Sequence, residues 1–174
     1  TTGGIVARFS APAGAFSVQT ASSMGGYTLS LFSGHFLVSS AGGAIMDIQF
    51  GQQLTNLTLA FATADFPPIE IPTPIELTAY TNSTGTPAVG SVISPRRDYG
   101  SDTLPMGTLS FSSITPFNVV RIKIPTGQLA VNLLVDNITV QTSGGSTCTI
   151  TTSASPANGG STSGAGTYSV GLNA

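Results

Sequence analysis

The sequence predicts an all-β fold, an antiparallel β-sandwich of the jelly-roll kind. Three observations carry this reading. Short runs rich in Val, Ile, Leu, Phe and Thr are separated by clusters of Gly, Pro, Ser and Asn. Within the runs apolar residues alternate with polar ones, the period of a strand with one buried and one wet face. Helical periodicity is nearly absent.

Taken in chain order, strands are expected at 5–9, 16–20, 27–32, 35–39, 44–50, 54–63, 75–81, 108–112, 118–124 and 129–142. The first four are brief runs set off by Gly, Pro or Ser. In 44–50, Met46, Ile48 and Phe50 form one face, and Asp47 and Gln49 the other. Leu57, Leu59 and Phe61 form the next apolar set; Val120, Ile122 and Ile124 lie opposite Arg121 and Lys123. In the last strand, parity places Asp136 on one face with Leu134, Ile138 and Val140. The stretch 66–74 holds Pro67, Pro68, Pro72 and Pro74, which cannot donate to a central ladder, so it reads as a loop or crossover. A second long loop spans 94–105, the most charged part of the chain. About ten short strands with turns between them suit a sandwich or barrel.

Composition narrows the function classes. Of the 174 residues only 7% are charged, against roughly 25% in an ordinary soluble domain. With 40% hydrophobic residues and a mean hydropathy of +0.30 the chain is not of the disordered class. Its apolar runs fall far short of the ~20 residues that span a bilayer as a helix, so no membrane span is expected. Five Lys and Arg against seven Asp and Glu form no basic stripe, and nucleic acid is not an expected partner. One cysteine, Cys148, excludes an internal disulfide framework. No basic segment followed by an apolar one opens the chain, and Thr1 is read as a trimmed end. From Ser143 the composition shifts to Gly, Ser, Thr and Ala, which divides the chain into a sandwich domain at 1–142 and a linker with a partial second module at 143–174.

The order "LTNLTLAFATADF", "IELTAYTNSTGTPAVGSVI", "GTLSFSSITPFNVVRIKIP" and "LLVDNITVQ" resembles the extracellular β-sandwich modules of bacterial secreted and surface proteins, including PEP-CTERM-type exported proteins. The resemblance covers residues 44 to 142. "VDNITV" is similar to the closing strand of MAM-like and galactose-binding-like jelly rolls, whose acidic residue lies near a calcium site. The tail "CTITTSASPANGGSTSGAGTYSVG" looks like the opening of a repeat found on bacterial surface proteins. These resemblances imply a secreted or cell-surface module that binds a glycan or another cell-surface polymer, as carbohydrate-binding modules do.

Residues able to do chemistry are few. The only histidine, His35, has no G-x-S-x-G elbow to serve and reads as a strand or turn residue. Glycoside hydrolysis needs two carboxylates about 5 to 10 Å apart; Glu70 and Glu76 are the candidate pair, beside a Pro-rich loop in a chain with no Trp. No catalytic residue is assigned. Asp136 is the most informative acid, because a carboxylate on a core face must be paired, hydrogen-bonded or metal-bound. Either it accepts backbone N–H bonds from a neighbouring loop, or it anchors a calcium site with Asp47 and Asp65, although Asp47 faces away from the core by parity. Arg96, Arg97, Asp98 and Tyr99 gather two cations, an acid and a ring in four residues, and form the candidate ligand-binding loop or simply a solvated turn with an internal ion pair.

Three functions follow in order: a non-catalytic carbohydrate-binding or adhesive module, a structural spacer, and a glycoside hydrolase. A jelly roll hosts all three, so the site must decide.

Overall fold

A computed structural model describes residues 5–12, 15–40, 45–64, 73–94, 104–127, 132–143, 147–150 and 166–169. Among them are ten strands and no helix: β1 (Ala7–Ser10), β2 (Ala15–Thr20), β3 (His35–Ser40), β4 (Ile45–Ala64), β5 (Glu76–Tyr80), β6 (Ala88–Ile93), β7 (Met106–Lys123), β8 (Asn132–Thr142), β9 (Thr147–Ile150) and β10 (Gly166–Ser169). Every strand pairing is antiparallel.

Two long strands organise the sandwich. The sequence reads 44–50 and 54–63 as separate strands, and likewise 108–112 and 118–124; the structure joins each pair into one continuous strand, β4 and β7. Ile45 to Gln49 pair with Lys123 to Val119, and Asn56 to Ala62 pair with Ser112 to Met106, with register shifts between Gln49 and Leu54 and between Leu54 and Asn56. The joint coincides with Gly51, whose N–H donates to the Val6 carbonyl at 2.8 Å, and with Pro116, which has no N–H for the ladder. There the paired strands bend and pass from one layer to the other.

The first layer runs β1, the 45–50 arm of β4, the 119–123 arm of β7, β5 and β6; the second runs β2, β3, β8, the 54–64 arm of β4 and the 106–112 arm of β7. The fold is thus the all-β jelly-roll sandwich expected. Met46, Ile48, Leu77, Val120 and Ile122 of the first layer meet Leu57, Leu59, Phe61, Leu109 and Leu133 of the second in one buried cluster. Burying each such side chain stabilises the fold by roughly 1.5–3 kcal/mol.

A second cluster lies on the outside of the second layer. The strand expected at 27–32 is not formed: 21–34 is a loop, because Gly25, Gly26 and Gly34 take φ values of +87, +78 and +63, which break a ladder and suit turns. Its apolar residues fold down instead. Leu29 is buried with Phe36, Val38, Ala62, Met106 and Leu134, and the Phe32 and Phe36 rings meet edge to face at 5.2 Å.

Beta-strand parity at Asp136 also differs from expectation. Thr58 pairs with Thr139 and Ala60 with Asp136, so Leu59 alone lies opposite two residues, Asn137 and Ile138. This is a β-bulge, and Asn137 takes the left-handed conformation it needs, φ +49. The extra residue reverses parity: Leu133 and Val135 face the core before it, Ile138 and Val140 after it. Asp136 therefore shares the outer face with Leu134 alone and does not lie with Ile138 and Val140.

The sequence shows no strand at 88–93, whose glycine weakens the pattern. In the structure Gly90 packs closely on the Phe111 ring, from which an added Cβ would stand 3.2 Å. That ring is itself buried against Phe117 and has little room to give, so Gly90→Ala should cost about 1 kcal/mol by overpacking, read as a lower urea midpoint with an unchanged slope. β9 and β10 form a separate two-stranded sheet.

Candidate functional site

The outer face of the first layer gathers the charged residues. Strand alternation that sends Met46, Ile48, Val120 and Ile122 inward sends Asp47, Gln49, Arg121 and Lys123 outward. Register then aligns them across strands: Ser10, Asp47, Arg121 and Thr78 in one row; Arg8, Gln49, Val119 and Tyr80 in the next; Ile45, Lys123 and Glu76 in a third. All three described Lys and Arg residues lie here, with two of the three described carboxylates.

Asp47 and Arg121 form a two-point pair. Arg121 Nε donates to Asp47 Oδ1 at 2.8 Å and Arg121 Nη2 to Oδ2 at 2.7 Å. The pair is partly exposed, with side-chain exposures of 41% for Arg121 and 19% for Asp47. The hydrogen bonds that Arg121 donates to Asp47 hold its guanidinium above its ordinary pKa, against a smaller lowering by burial, and Coulombic attraction to Asp47 and then Tyr80 adds to the rise. Arg121 is thus a fixed cation, and its planar fork is held rigid. Lys123 Nζ lies 3.3 Å from Glu76 Oε2, while Thr78 donates its hydroxyl to Glu76 Oε1 at 3.2 Å.

Beside this array is an open cleft of about 330 Å³ lined by Arg8, Ser10, Asp47, Gln49, Ser83 and Val119. Ser83 comes from the β5–β6 turn, where Gly85 takes φ +73 and the Asn82 side-chain carbonyl accepts the Thr84 N–H at 3.0 Å. That Asx turn holds Ser83 over the neighbouring strands. Fixed donors and acceptors, neutral hydroxyls and an amide, and the half-buried Tyr80 ring together suit a polar ligand with many hydroxyl groups.

The residues singled out from sequence fall elsewhere or apart. Asp47 belongs to this face, pointing away from the core as parity requires. Asp136 sits in the second layer, where its Oδ2 accepts the Ser33 N–H at 2.7 Å. Asp65 and the loop Arg96, Arg97, Asp98 and Tyr99 lie outside the described residues, as does Glu70. Glu76 is held by Lys123. Among the described residues no three His, Cys, Asp or Glu side chains come close enough to hold a metal ion, and Asp47 and Asp136 lie in different layers. Sequence reading missed Arg8, Tyr80 and the Asp47–Arg121 pair. Parity had already put Asp47 and Arg121 on wet faces; only the β4–β7 register makes them neighbours.

No family model matches the chain, and no curated protein does. Solved structures that it resembles include TmCBM61 in complex with β-1,4-galactotriose, 10% identical at a TM-score of 0.43, covering 78% of this chain and 88% of that one. Another is the family 11 carbohydrate-binding module from Clostridium thermocellum with a β-1,3-1,4-mixed-linked tetrasaccharide, 8% identical at a TM-score of 0.40, with 79% and 88% covered. A third is the enzymatically active domain of Bacteriophage CBA120 tailspike protein 4, 11% identical at a TM-score of 0.40, with 82% and 20% covered.

Proposed function

We propose that this chain is a non-catalytic binding module of an exported protein, and that its ligand is a glycan docking on the outer face of the first layer. The observation that carries the reading is the convergence on that one face of Arg8, Arg121, Lys123, Asp47 and Glu76, in a chain with so little charge, beside an open cleft. Sugar hydroxyls both donate and accept, so they are matched by side chains of both kinds held in fixed geometry. Asp47 keeps lone pairs beyond those that Arg121 occupies, and Arg121 keeps N–H groups beyond those that Asp47 takes. Tyr80 lies in the neighbouring row of the same face. The two described carboxylates of this face, Asp47 and Glu76, are each tied to a cation rather than standing as the free acid and base pair that glycoside hydrolysis requires.

The test is affinity electrophoresis through a panel of soluble polysaccharides, followed by calorimetry on any that retards the protein. Arg121→Leu should weaken binding at least tenfold, about 1.4 kcal/mol. Ser110→Ala, on the outer face of the other layer, should not change it. Equal retardation of wild type and Arg121→Leu would move the site off this face. Failure of every polysaccharide to retard the wild type would leave the chain a structural spacer.

A further inference from the structure

We propose, building on the glycan reading of this face, that the ligand is acidic: a uronate-containing polysaccharide whose carboxylate is taken by Arg8. The charges on the face are not equivalent. Arg121 is neutralised by Asp47 and Lys123 by Glu76, which leaves Arg8 as the one described cation without a described carboxylate partner. Arg8 is exposed on the edge strand β1, paired in register with Gln49.

Its position is as informative as its charge. The 330 Å³ cleft adjoins a second open cleft of about 310 Å³, lined by Val6, Arg8, Gln49, Phe50 and Gly51. Arg8 and Gln49 belong to both. They therefore stand at the junction of two depressions that follow one another along the β1–β4 edge, the arrangement an extended chain of sugar rings would occupy. A guanidinium without a carboxylate partner at such a junction gains more from an anionic ring than from the hydroxyls of a neutral one. A carboxylate accepts two parallel N–H bonds from the fork, and charge assistance roughly doubles the strength of each. Ser10, Gln49 and Ser83 flank that point with neutral donors and acceptors, which match ring hydroxyls and give an acidic peptide no specific partner.

The experiment compares polygalacturonate, its methyl ester, neutral galactan and polyglutamate by calorimetry at low and moderate salt. The ester keeps the rings and removes the charge. Wild type should bind the acid at least tenfold more tightly than the ester or galactan, and the margin should shrink as salt screens an exposed pair. Arg8→Gln should bring the acid-to-ester ratio to about one, and Arg8→Lys should restore part of it. A wild type that binds ester and acid alike, or an Arg8→Gln protein that keeps the preference, overturns the proposal. Equal binding of polyglutamate overturns it too, since the face would then be a general anion patch. If galactan binds, loses affinity in Arg121→Leu, and matches the acid, the glycan reading stands and only the acidic ligand falls. If no polysaccharide binds, both fall together.

Discussion

Phe117→Ala should destabilise the protein by about 3–5 kcal/mol, the cost of emptying a large aromatic site in a close-packed interior. Phe117 has no exposed surface and pairs with Leu54 where β4 and β7 pass between layers. Its ring meets Phe111 at 5.3 Å and 73°, an edge-to-face contact that adds about 0.5–1.5 kcal/mol to the area it buries. The loss falls where β4 and β7 pass between layers, so the site cannot collapse without moving one layer. Against a total stability of roughly 5–15 kcal/mol, thermal unfolding should fall by about 6–20 °C. Three residues earlier, Ile114 is fully exposed, and Ile114→Thr should change stability by no more than about 0.5 kcal/mol. Urea unfolding followed by circular dichroism measures both. Similar losses for the two variants would mean that the joint does not bury Phe117 as described.

That joint also shows which parts of the fold can be read from sequence. The inward sets Met46, Ile48 and Phe50, Leu57, Leu59 and Phe61, and Val120 and Ile122 follow from alternation alone, because each is a local pattern enforced by one buried face. Continuity of β4 through Gly51 is not local; a glycine reads equally as a turn or as a bend within a strand. The loop at 21–34 misleads for a related reason. Tyr27, Leu29 and Phe32 are apolar because they cover a sheet from outside, and covering residues need not be extended. Asp136 accepts the Ser33 N–H, but it does not lie on the core face expected of it, because its face depends on a one-residue bulge that Asn137 permits and sequence does not announce. The binding face is legible only in halves. Asp47, Gln49, Arg121 and Lys123 can each be assigned to a wet face, but strands so far apart in the chain become neighbours only through register.

The same reasoning sets a definite expectation for Asp136. Its Oδ2 accepts the Ser33 N–H at 2.7 Å, Asn137 Nδ2 donates to the Leu31 carbonyl at 2.7 Å, and Ser33 Oγ donates to Asn137 Oδ1 at 3.2 Å. These bonds tie the end of the 21–34 loop to the bulge, and the loop carries Leu29 into the second cluster. Asp136→Ala gives up its bond from the Ser33 N–H at an exposed site, where water takes over that donor, and should cost about 0.5–1.5 kcal/mol, a fall of about 1–6 °C in Tm. Asp136→Asn keeps an acceptor oxygen and should lose less. Calcium held by Asp136, with Asp47 and Asp65, is the competing proposal for this carboxylate, and the two accounts part on one comparison. A hydrogen-bonded anchor has the same Tm in calcium and in excess chelator, for wild type and variants alike. A metal ligand raises the wild-type Tm with calcium concentration, by linkage to the native state, and Asp136→Ala abolishes the rise. With Asp47 committed to Arg121 and one oxygen of Asp136 committed to Ser33, the first result is the expected one.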